Sequence, residues 1–255
     1  MKITINWKLF FLLLFTCIVV SLLVMPFTFA LSPALMEVFT PKIIMLQVIQ
    51  NVILFSLAIF FGLLLSKPLG FKLPLLEAIV KRENQTAYLK SILFPSIGLG
   101  VLGGVLVILL SLPFRSLSLE LLQVEISVAA WKGFLAAFYG GFAEEIIFRF
   151  FLVSLFVWIT WKIKKTKEGL PTNCGIWLSI IIASIIFGLG HLGITGELTA
   201  ITITVIARAV LLNGVVSIIF GWLYWKKGLE SAMIAHFSVD IVLHVITPLI
   251  ASLFV

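Results

Sequence analysis

LFFLLLFTCIVVSLLVMPFTFA, residues 9–30, runs for 22 residues without a charged side chain. At about 1.5 Å of helical rise per residue, such a run crosses a hydrocarbon core about 30 Å thick. A secretory signal has a shorter apolar stretch of about 7–15 residues. The run therefore reads as a retained anchor, although Thr28-Phe29-Ala30 loosely resembles a cleavage site. Six further apolar runs follow, at 43–65, 91–113, 131–161, 174–193, 199–225 and 229–254. Of the 255 residues, 62% are hydrophobic and 11% charged, against roughly 45–50% and about 25% in soluble domains. That balance excludes a disordered chain and leaves no room for a separate soluble domain of any size. The expected fold is an all-α polytopic membrane helical bundle of seven transmembrane helices with short loops, in a chain with room for about eight.

The net charge of +7 would suit nucleic acid, but its distribution points to the membrane surface. With a cytoplasmic N-terminus, the inner segments hold Lys2, Lys8, Lys67, Lys72, Lys81, Arg82, Lys90, Lys162, Lys164, Lys165, Lys167, Lys226 and Lys227, thirteen of the 18 basic residues. Outer segments hold only Lys42, Arg115 and Lys132, while Arg149 and Arg208 fall within spans. This is the positive-inside pattern, and no nucleic-acid partner is expected. The bias and the lack of a targeting signal suggest a bacterial inner membrane. Residues 66–90 mix basic side chains with Leu73, Leu76, Ile79 and Val80, as in a helix lying on the inner surface, or in a merely charged loop. Residues 114–128, with Glu120 and Glu125, read as an outer amphipathic connection. Cys17 and Cys174 form neither a disulfide framework nor a zinc spacing. The organisation expected is 1–128 as N-terminal helices and 129–255 as a functional core.

Ionisable side chains within spans are expensive, at about 2.5–3.5 kcal/mol each on insertion scales, and so ask for a partner, a cavity or a function. Here they cluster in three runs. The fourth contains Glu144, Glu145 and Arg149; the fifth ends Phe187-Gly188-Leu189-Gly190-His191; the seventh contains His236, Asp240 and His244. Glu145 and Arg149 share a helix face at a spacing of four and can neutralise one another. Glu144 lies about 100° around the helix, without an intrahelical partner, and suits general acid-base chemistry. Alternatively, both glutamates share Arg149 in a structural network. Phe187 can pack beside the His191 ring, and Asp240 can orient the His236 imidazole. Simple rise estimates put Glu144 near mid-membrane, His191 towards the outer side and His236 towards the inner side, so convergence requires tilted or broken helices.

The three motifs, E-E-x-x-x-R at Glu144, Glu145 and Arg149, F-x-x-x-H at Phe187 and His191, and H-x-x-x-D at His236 and Asp240, resemble those of the CAAX protease and bacteriocin-processing family. Its members are intramembrane endopeptidases related to the type II CAAX prenyl protease. The resemblance covers roughly residues 130 to 250. It implies that Glu144 and His191 activate water, that His236 and Asp240 stabilise the oxyanion, and that Glu145 and Arg149 are structural. Two departures stand out. The third motif ends in Asp240 where asparagine is commoner, so either Asp240 carries a proton or it orients His236. Phe150 stands where the family often has glycine, which alters local packing and access.

The function expected is thus an intramembrane endopeptidase acting on a peptide or protein substrate, lipid-modified or membrane-embedded, in the bilayer. No cofactor is expected. A divalent metal such as zinc on Glu144, His191, His236 and Asp240 is the less favoured variant, because no pair has a dedicated metal-binding spacing. Two other classes compete: a proton-coupled transporter using the same buried groups, against which no inverted repeat is found, and a non-catalytic immunity or scaffold protein.

Overall fold

A computed structural model of the chain describes residues 5–114, 124 and 127–253. Among the described residues, seven helices are long and apolar enough to cross a membrane. They are span 1 (Trp7–Leu31), span 2 (Pro41–Leu69), span 3 (Thr86–Phe114), span 4 (Ala130–Ile163), span 5 (Asn173–Leu198), span 6 (Ile203–Lys227) and span 7 (Leu229–Ala251). Each coincides with one apolar run of the sequence, and the protein is an all-α polytopic membrane bundle. Most of the expected outer connection at 114–128 lies outside the described residues.

Local chemistry sets the span ends. Thr172 Oγ1 accepts the Gly175 N–H at 3.1 Å and Thr202 Oγ1 accepts that of Val205 at 3.3 Å, so spans 5 and 6 open on hydroxyl caps. Span 2 opens on Thr40 and Pro41 and stops at Gly70, whose φ of +78° is the left-handed cap that glycine adopts at little cost.

Lipid tails are as apolar as leucine, so the helices associate through close packing of small residues and a few buried polar bonds. Span 3 lies against span 7 through Gly100, Gly103 and Gly104, which face Ala235, Ser238, Val239 and Val242. A Cβ on Gly100 would overlap the Ala235 carbonyl oxygen. Ser96 Oγ bonds Ser231 Oγ at 2.7 Å in the same seam. Spans 5 and 6 run antiparallel, with Gly188 against Val210 and Gly221 against Ile180. Phe150, at the position that departs from the family glycine, is fully buried and turns its ring onto Gly62 of span 2. It fills a helix seam and is not among the residues lining the cavity described below.

One membrane face carries Lys8, Lys67, Lys72, Lys81, Arg82, Lys90, Lys162, Lys164, Lys165, Lys167, Lys226 and Lys227 together with Trp7, Trp158, Trp161, Trp177, Trp222 and Trp225. Lysines lie over tryptophan rings there, Lys226 at 3.5 Å from the Trp225 centroid and Lys165 at 4.7 Å from Trp161. Only Trp131 belongs to the other face, so the aromatic belt and the basic belt coincide. Part of the 66–90 segment is a helix, Pro74–Lys81. It is tied to span 7 by Glu230, whose Oε1 accepts the N–H groups of Leu75 at 2.7 Å and Leu76 at 3.0 Å. Tyr88 adds a bond from its hydroxyl to the Lys227 carbonyl at 2.7 Å. Glu230 is buried, and this clamp fixes the start of the helix that carries His236.

Candidate active site

Span 4 is not a uniform α-helix. It is π-helical over Tyr139–Glu144 and again over Ile146–Val153, and span 7 turns π-helical over Val242–Ile246. Such wide turns are rare and frequently occur at functional sites. The helix of span 5 ends at Gly190, and His191 forms the turn before a short helix, Leu192–Leu198. The His191 ring folds back along its own helix, so that Nδ1 lies 2.9 Å from the Phe187 carbonyl oxygen. A carbonyl only accepts, so Nδ1 carries the hydrogen and Nε2 is left to act as a base or acceptor.

The two adjacent glutamates have different surroundings. Glu145 is fully buried; its Oε1 lies 3.0 Å from Arg149 Nη1 and 2.7 Å from His236 Nδ1. Arg149, also buried, donates from Nη2 to Ser217 Oγ at 2.7 Å. Its guanidinium lies over the rings of Phe187, at 4.7 Å, and Phe220, at 5.0 Å. Glu144 retains 20% side-chain exposure, with Oε2 3.6 Å from His236 Nε2. Asp240 Oδ1 lies 3.8 Å from that same nitrogen. The residue that holds the imidazole is therefore Glu145 and not Asp240, because only Glu145 reaches hydrogen-bond distance. His236 is further fixed by Phe220, stacked on it at 4.5 Å between centroids.

The depth mismatch foreseen for the three motifs is closed by a side chain. The Phe187 ring is edge-on to His191 at 4.7 Å and to His236 at 5.6 Å, so the two histidines stand one aromatic ring apart. Glu144, His191, His236 and Asp240 all line one cavity of about 360 Å³, as do Phe187 and His244. The His244 ring packs edge-on against Phe27 of span 1 at 5.0 Å. Glu145 and Arg149 lie outside the lining, behind His236 and Phe187. Among the described residues, no three His, Cys, Asp or Glu side chains are grouped closely enough to hold a metal ion.

Three lining residues escaped the sequence reading. A Cβ on Gly140 would overlap Asp240 Oδ2 and lie 3.1 Å from His236 Nε2, so only glycine leaves room for both groups. The Gly140-Gly141 pair just before Glu144 was the available signal. Arg208 and Asn213 of span 6 also line the cavity; Arg208 was visible as a charge within a span but had no motif around it.

Residues 126–242 match the family model described as type II CAAX prenyl endopeptidase Rce1-like, a range that contains all three motifs. No curated protein and no solved structure matches the chain. Over residues 126–242 the chain is thus similar to the Rce1-like type II CAAX prenyl endopeptidases, and this match supports a CAAX-type protease reading at the level of the family.

Proposed function

We propose that the protein hydrolyses a peptide bond in the membrane with water activated by Glu144 and His191. The observation that carries this reading is the shared cavity: Glu144 and His191 line it together with His236 and Asp240, whereas Glu145 and Arg149 are sealed behind. Glu144 takes a proton from water as the water oxygen attacks the carbonyl carbon, and His191 Nε2 orients that water. His236 commits its Nδ1–H to Glu145, so a bond to the oxyanion comes from Nε2–H of the doubly protonated ring, flanked by Asp240. On collapse the C–N bond breaks and the amine takes its proton from Glu144.

The proposed setting is a bacterial inner membrane with the N-terminus cytoplasmic, supported by the joint basic and tryptophan belt on one face. The cavity runs the other way. Its lining continues from Glu144 to Leu31, Ser111, Leu198 and Thr247, which lie where spans 1, 3, 5 and 7 end. In that orientation substrate reaches the site from the outer half of the bilayer.

The test is incubation of the protein in lipid nanodiscs with a complex peptide mixture and identification of new termini by mass spectrometry. Cleavages made by wild type and absent with Glu144→Gln and His191→Ala are expected. Substrate-dependent proton flux in proteoliposomes that survives Glu144→Ala would overturn the reading in favour of transport. Full biological complementation by the Glu144→Ala, His191→Ala double variant would favour a scaffold.

A further inference from the structure

Arg208 stands in the same cavity as the water-activating pair but has no part in the reaction as derived. The bundle holds two arginines within its spans, and their surroundings differ. Arg149 has a carboxylate, a serine hydroxyl and two aromatic faces. Arg208 has no ion-pair or hydrogen-bond partner among the described residues, and its Nε is buried without one. A cation in an apolar bundle calls for a counter-group, and here the described residues do not supply it. The guanidinium presents five donors in a planar fork that matches a carboxylate through two parallel bonds.

Its position suits a substrate contact. A Cβ on Gly188 would lie 2.7 Å from the Val210 Cα, so these two residues are level on antiparallel helices. His191 lies three residues beyond Gly188 and Arg208 two residues before Val210, about 4.5 and about 3 Å towards the same membrane face. Arg208 therefore faces the cavity at the depth of His191, and Phe220, which stacks on His236, lies twelve residues deeper on the same helix.

We infer that Arg208 is a substrate-binding residue that holds a carboxylate of the peptide, either its C-terminus or an acidic side chain, on the outer-face side of the scissile bond. This rests on the protease reading, so its test separates the two. Quenched-fluorescence peptides of randomised apolar sequence are made as C-terminal acids and amides, each with Asp or Asn at one position. Cleavage is followed with the full chain in phosphatidylcholine nanodiscs. Binding is followed by anisotropy of the same peptides, labelled but uncleaved, on Glu144→Gln.

Wild type should prefer one carboxylate form by about tenfold or more, the range of a charge-assisted hydrogen bond. The acid-amide comparison and the Asp-Asn comparison identify which carboxylate it is. Arg208→Gln should bring that ratio close to one, and Arg208→Lys should restore part of it. A preference that persists in Arg208→Gln overturns the inference. So does an equal loss for all four peptides, or, in a second set of nanodiscs containing phosphatidylglycerol, a dependence of the Arg208 variants on that anionic lipid alone, which would assign the guanidinium to a headgroup phosphate. If wild type cleaves nothing but the Glu144→Gln protein still prefers carboxylate through Arg208, the protease reading falls and the anchor stands.

Discussion

His236 Nδ1 and Glu145 Oε1 are 2.7 Å apart, and that oxygen also faces Arg149 Nη1 at 3.0 Å. The second glutamate thus joins the buried cation to the cavity histidine. Replacing Glu145 by Gln should strand the Arg149 charge and destabilise the bundle by about 3–5 kcal/mol, the cost of removing one partner of a buried pair. Glu144→Gln should leave stability within about 0.5 kcal/mol of wild type, as for a substitution outside the buried network. Unfolding of the two variants in detergent would separate them; equal stability would mean that Glu145 holds nothing together.

Gly140 should be as sensitive as the charged residues. An added methyl must displace Asp240 or His236, and misplacement by about 1 Å is enough to cost about 10²-fold in rate. Gly140→Ala should therefore lower kcat/KM by about that factor while the protein stays folded. Unimpaired turnover would show that Asp240 does not need its observed place.

Glu230 is remote from the cavity but fixes the start of span 7. Glu230→Ala leaves the Leu75 and Leu76 N–H groups without their acceptor, a loss of about 1–3 kcal/mol for a buried unsatisfied group. Faster proteolysis between residues 70 and 90 in the variant is the expected signature, and an unchanged digestion pattern would dismiss the clamp.

Chelation discriminates the water-activation chemistry from its metal variant. Proteolysis by Glu144 and His191 should continue after exhaustive treatment with a chelator. Loss of cleavage that added zinc restores would transfer the activation of water to a bound ion.

Cysteine labelling reads the orientation. Cys17 is buried and Cys174 is exposed, the latter at the basic end of span 5. A membrane-impermeant maleimide should reach Cys174 only after cells are opened. Glu197→Cys in a Cys174→Ser background, at the cavity end of the same span, should react in intact cells. The reverse pattern would turn the cavity to the cytoplasm.

The sequence alone determined the seven spans, because a continuous apolar run and its flanking charges are local properties that bilayer thickness converts directly into a helix. It also determined the Glu145 to Arg149 pair, which one helical turn brings together. Tertiary structure decided the rest. Glu145 meets His236 across 91 positions, Gly140 meets Asp240 across the seam of spans 4 and 7, and Phe187 closes the distance between two histidines that rise-per-residue arithmetic held apart. Those contacts depend on π-helical turns that a 3.6-residue period does not describe and on the register of small-residue seams between helices. The same seams place Arg208 in the cavity, where its lack of a partner among the described residues becomes visible only once every neighbouring span is in position.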